Sequence, residues 1–122
     1  MALTTATLST RFGGKFAKET SASSTKGAVA TSAVNLKAIE IDNTANSTAV
    51  YAKCYDNAVG SVTVGTSAPD IIAFAPASTK LTYFFDQGVA FGTGLVLACV
   101  TNKGTAGTSN PASAVVIKLI YD

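Results

Sequence analysis

The stretch that most constrains this chain is 83–101, YFFDQGVAFGTGLVLACVT. Its last part, Leu95 to Thr101, is the most apolar run present and is apolar at successive positions. A strand with that pattern needs cover on both faces, so it must lie in the middle of a layered structure. Tyr83 to Phe85 has strand character, and Gly88, Gly92 and Gly94 lie between the two pieces. The stretch therefore predicts a core hairpin, with the rest of the chain supplying the second layer and the remaining strands.

Other strands follow from period-two alternation. Leu36 to Asp42 sets Lys37, Ile39 and Ile41 on one side and Ala38, Glu40 and Asp42 on the other. After the polar turn cluster Asp42 to Ser47, residues 48–56 set Val50, Ala52 and Cys54 against Tyr51, Lys53 and Tyr55. Two alternating runs around a turn predict an antiparallel hairpin. Val62 and Val64 suggest a short edge strand, and residues 70–76 a strand closed by Pro76. Lys80 to Asp86 and Val115 to Tyr121 are further strands, with turns expected at Gln87-Gly88 and in the polar loop 102–113. The composition agrees, because Ala, Thr and Ser make 49 of 122 residues and strong helix formers are scarce. The expectation is one all-β domain over 28–122, an antiparallel β-sandwich of jelly-roll or Ig-like type with seven or eight strands.

Residues 1–27 read differently. They hold Arg11, Lys15, Lys18 and Lys26 against Glu19 alone, whereas 28–122 holds five Lys and six acids. Gly13-Gly14 and SASST break any long element. The segment is expected to be a flexible or extended N-terminal arm. Arg11, Phe12, Lys15, Phe16 and Lys18 would be its partner-binding residues, giving two aromatic anchors and a positive charge. Removing the arm is expected to leave the sandwich folded.

The chain contains no histidine, which removes the commonest general base and transition-metal ligand. Gly65-Thr66-Ser67-Ala68-Pro69 lacks the last glycine and the base of a hydrolase nucleophile turn. Gly92-Thr93-Gly94 is followed by a strand, so no helix N-terminus awaits a phosphate; it reads as a tight hairpin using positive φ. Glu40 and Asp42, with Asp56 across the hairpin, are candidates for a hard-cation site, though a solvated strand end explains them as well. Tyr51, Tyr55 and Tyr83 are the candidates for a sugar-stacking platform. Asn46-Ser47-Thr48 matches the glycosylation sequon and marks an exposed turn. Cys54 and Cys99 read as buried apolar thiols, with a cross-strand disulfide as the alternative in an oxidising compartment. No secretory leader is recognisable and no run reaches the roughly 18 apolar residues of a membrane span, so synthesis and initial residence in the cytoplasm are expected. The expectation is a non-enzyme without cofactor or metal, binding neither nucleic acid nor membrane.

Five motifs occur in order: I-E-I-D-N-T (Ile39–Thr44), V-Y-A-K-C-Y-D (Val50–Asp56), V-G-T-S-A-P (Val64–Pro69), F-D-Q-G-V-A-F-G-T-G-L (Phe85–Leu95) and a terminal strand ending in I-Y (Ile120–Tyr121). Over residues 36–122 this order resembles small β-sandwich virion proteins of tailed bacteriophages. The resemblance implies a virion structural protein, most simply a capsid decoration (cement) protein bound to the major capsid protein and to itself, as a trimer. A tail, neck or fibre component contacting the host is the alternative within that class, and a carbohydrate-binding module the alternative outside it. The resemblance carries no catalytic residue with it.

Overall fold

The computed structural model describes residues 2–7 and 14–122. They form nine strands: β1 (Leu3–Thr7), β2 (Lys15–Ala22), β3 (Gly27–Ala30), β4 (Val34–Asp42), β5 (Val50–Tyr55), β6 (Ile71–Ala75), β7 (Lys80–Phe91), β8 (Leu95–Val100) and β9 (Val115–Tyr121). Among the described residues there is no α-helix, only a single 3-10 turn at Val59–Ser61. The strands build two antiparallel sheets, β1-β2-β9-β4-β7 and β3-β8-β5-β6. Their inner faces meet in one core, with Leu36, Ile39, Ile117 and Leu119 from the first sheet against Val50, Leu95, Leu97 and Cys99 from the second. The expected β-sandwich is what the chain forms.

The pairing has a simple logic. β5 pairs with β6, β4 with β7, β3 with β8 and β2 with β9, so the chain is one long antiparallel ribbon folded back at residues 56–70. Successive rungs of the ribbon alternate between the sheets, and the pairs β4–β9 and β5–β8 close each sheet. That is the double Greek-key order of a jelly roll, with β1 added at one edge.

Several expectations change. The 36–42 and 48–56 runs are both strands, but they lie in different sheets and make no hairpin. Residues 43–49 carry the chain across the end of the sandwich, and two buried asparagines satisfy the backbone there. Asn43 Nδ2 donates to the carbonyls of Thr48 and Pro76, both at 2.9 Å. Asn46 Nδ2 donates to Asn43 Oδ1 and to Ser113 O, and its Oδ1 accepts the Ser113 N–H. Asn46 is only 3% exposed, so the sequon does not mark an exposed asparagine.

The 83–101 stretch is not a hairpin either, because β7 and β8 belong to opposite sheets. β7 runs unbroken through Gln87-Gly88, where a turn was expected. The register jumps there: Ala38 faces Phe84 while Leu36 faces Val89. The extra residues form a bulge, and Gly88 takes it at φ +74°, where a side chain would strain. The same irregularity puts Leu36 inside with Ile39 and Ile41 and turns Lys37 outward, against the simple alternation. Gly94 serves close approach, not positive φ, since an added Cβ would meet Ala30 O at 2.8 Å and Asn57 O at 3.0 Å.

Lys15 to Thr20, expected within an arm, lies in β2 and pairs with β9 along most of its length. Ala17, Glu19 and Ala22 are buried. Glu19 Oε2 accepts the N–H groups of Ala2 and Ser21, tying β1 to the sheet. Removing residues 1–27 would uncover β9, a central strand, so the truncated chain would not keep this core intact.

Candidate interaction surface

The two sheets present two outer faces, and the chain treats them differently. Over the four-stranded sheet it lays its own loops. Val62, expected in an edge strand, instead sits in the 56–70 loop and packs fully buried on Tyr55, Val96 and Ala98, with Val64 beside it. This explains why Leu95 to Val100 is apolar on both faces: Leu95, Leu97 and Cys99 enter the main core, Val96 and Ala98 the small one.

Further along the same face Lys53 is fully buried, and its ammonium donates to Thr105 O at 3.0 Å and Gly107 O at 2.8 Å. Burial pushes its pKa down. The lysine thus pins the 101–114 loop. The third loop anchor is Asp56. Its Oδ1 accepts the N–H of Thr93 at 2.8 Å and that of Gly94 at 3.4 Å, while Oδ2 accepts that of Gly92 at 3.0 Å. These hydrogen bonds, led by Thr93, hold its pKa below the usual carboxylate range.

The outer face of the five-stranded sheet carries no such cover among the described residues. The registers place its side chains in rows across the strands. One row is apolar: Ala6, Phe16, Ile120, Ala38 and Phe84 on β1, β2, β9, β4 and β7. The next is polar: Thr4, Lys18, Lys118, Glu40 and Thr82. Phe84 is 76% exposed, by far the most open large apolar side chain. Phe16, Ile120, Ala38 and Phe84 line a shallow groove of about 240 Å³, with Glu40, Thr82 and Lys118 along its side. Lys118 Nζ lies 3.8 Å from Glu40 Oε1, and Lys18 stands directly beside Lys118 in the ladder.

Of the residues expected to bind a partner, Phe16 and Lys18 lie on this face and Lys15 is exposed at the start of the same strand. Arg11 and Phe12 lie outside the described residues. Phe84, the dominant exposed group among the described residues, is not one of those expected to bind a partner. Its signal was present, since Thr82, Phe84 and Asp86 alternate with core residues, and an aromatic among polar neighbours on an outward face is unusual.

The other candidates separate. Glu40 pairs with Lys118, Asp42 accepts from Thr44 Oγ1 and N–H, and Asp56 closes the 92–94 turn. No group of three metal-ligating side chains occurs among the described residues. Tyr51 and Tyr55 share the outer face of the four-stranded sheet, but the three tyrosines form no common platform. Tyr55 is buried under Val62, Tyr83 points inward and donates from its hydroxyl to Phe74 O, and Tyr51 packs on the ring of Phe74. Cys54 and Cys99 are free, buried thiols, both pushed up to about 12 mainly by burial. Cys54 faces Leu97 and Cys99 faces Ala52, which makes the cysteines diagonal neighbours. Diagonal Cβ atoms lie roughly 7 Å apart, well beyond the ~4 Å of a disulfide.

No protein-family model matches the chain, and neither the curated proteins nor the solved structures yield a match. No helix of the described residues is long and apolar enough to cross a membrane.

Proposed function

We propose that this chain is a non-enzymatic structural protein of a bacteriophage virion, a decoration (cement) protein that bridges major capsid subunits and assembles with copies of itself. The observation that carries the reading is the bare outer face of the five-stranded sheet, where Phe16, Ile120, Ala38 and Phe84 form an open apolar groove, while the opposite face is covered over β8 and much of β5 by the chain's own loops and leaves Ile72 and Phe74 half-exposed at its β6 edge. An exposed apolar band rimmed by charge is the usual mark of a protein contact.

Two further observations agree with it. The motif order over 36–122 resembles phage virion β-sandwiches. The jelly-roll order of the strands is common to viral capsid, lectin and cupin domains. Of these, a cupin-type metal site draws on histidine, which this chain lacks, and a lectin-type platform of three tyrosines is broken up here, with Tyr55 buried under Val62 and Tyr83 turned inward. Adhesion would come from many weak contacts repeated over a symmetric shell, each copy adding little and the array adding much.

The test is copy number in purified virions produced from the genome that encodes the chain, measured by quantitative mass spectrometry against the major capsid protein. Hundreds of copies per particle are expected of a cement protein. A handful would move it to the neck or tail, and absence from the particle would end the virion reading.

A further inference from the structure

We infer that the bare face of the five-stranded sheet is the contact between two copies of this chain. The two-fold axis runs parallel to the strands, between β9 and β4. Such a rotation keeps each row at its level along the strands and reverses its order across the sheet. The apolar row Phe16–Ile120–Ala38–Phe84 then meets its own reverse. Ile120 falls opposite Ala38 of the second copy, a large side chain over a small one, at both central positions. Phe16 falls opposite Phe84 of the second copy, ring against ring, on either side.

Charge selects the same axis. On one copy Lys18 and Lys118 are ladder neighbours served by a single carboxylate, Glu40, and like charges placed so cost stability. Reversing the row Lys18–Lys118–Glu40–Thr82 sets Lys118 opposite Glu40 of the second copy and Lys18 opposite Thr82 of the second copy. No like charges of that row meet. An axis across the strands, midway between the two rows, would instead lay the apolar row on the charged one. The size fits a weak dimer. With the axis between β9 and β4, the strands β2, β9, β4 and β7 overlap their counterparts and β1 overhangs; four strands at about 4.8 Å spacing and about seven residues at ~3.4 Å give a face of roughly 460 Å², hence about 900 Å² buried in total. That lies below the roughly 1,200 Å² of standard specific pairs, in the range of weak, transient contacts, so a concentration-dependent association is expected. Sheets packed in this manner stay within about 30° of aligned, which keeps both rows in register near the axis.

The test is native mass spectrometry with sedimentation of three variants. Wild type is expected to be a concentration-dependent dimer. Lys118→Glu alone and Glu40→Lys alone each set like charges across the axis and are expected to be monomers. Mixed, they restore opposite charges at both crossings and are expected to form a heterodimer. Phe84→Lys, at an exposed position, should keep the thermal midpoint and weaken the dimer by about tenfold or more. A wild type that is monomeric or trimeric, variants that dimerise alone as tightly as wild type, a mixture without heterodimer, or an unaffected Phe84→Lys dimer would each overturn the pairing. The pairing stands apart from the virion reading: a dimer in solution that has no place on a particle leaves it intact.

Discussion

Asp56 stands one residue beyond β5, and its carboxylate gathers the three N–H groups of 92–94 while its own N–H donates to Asp70 Oδ2. The crossing from β7 to β8 therefore depends on a side chain from a third strand. Asp56→Ala leaves those three donors to water at a partly covered position. By analogy with the loss of a helix cap, the cost is expected to be about 1–2 kcal/mol in urea denaturation. The pH dependence follows from the lowered pKa. A carboxyl whose folded pKa is depressed contributes fully above its unfolded value, near pH ~4, and loses that contribution as acidification passes through the folded pKa. The gap between wild type and Asp56→Ala should be constant from neutral pH down to about pH 4–5 and close below it. A gap that persists unchanged in acid would mean that the carboxylate is not the source.

At the scale of elements, loops make the second layer of the structure. The 101–114 loop is held by Lys53, a buried cation bonded only to backbone carbonyls. Lys53→Met keeps most of the apolar stem and removes both bonds. The buried ammonium's desolvation penalty disappears with it, so the net stability change should be small, about 1 kcal/mol or less. Amide exchange should nevertheless accelerate in 101–114 and not in β5 or β8. Uniform acceleration would show that the lysine supports the sheet and not the loop. Most strands were legible: β5, β6 and β9 from alternation, β4 from alternation beyond its irregularity at Leu36–Ala38, and β8 from its continuous apolar run. What alternation does not encode is which sheet a strand joins. The polar runs at 43–49 and 92–94 have the composition of hairpin turns, yet they cross between sheets, using Asn43, Asn46 and Asp56 as buried or semi-buried ties. β2 was missed for another reason. Its inward positions are Ala17, Glu19 and Ala22, and the charged one, fully buried, gives no apolar period to read. The bulge at Gly88 hid the length of β7 in the same way, since a glycine after a glutamine looks like a turn.

For the whole molecule the asymmetry between its two outer faces matters most. One is covered over β8 and much of β5 by the loops at 56–70 and 101–114, with Ile72 and Phe74 half-exposed at its β6 edge; the other offers Phe84, the most exposed large apolar side chain among the described residues, and the groove beside it. Of the aromatic pair expected to work from a free arm, Phe12 lies outside the described residues. Phe16 is fixed in a strand, one element of a rigid row, so recognition on this face needs no ordering of a flexible segment and loses no entropy to one. The candidate surface was only partly legible because Phe16 and Phe84 are 68 positions apart in the sequence, and only the register β2-β9-β4-β7 sets them on one line. On the proposed reading this face is a contact surface in an assembled shell. The decisive measurement is an electron cryomicroscopy map of the virion produced from the genome that encodes the chain. Many symmetry-related copies are expected on the head, with Phe84 and Ile120 covered by a neighbouring subunit. A map in which the chain is bound with that face open to solvent, or from which it is missing, would contradict that reading.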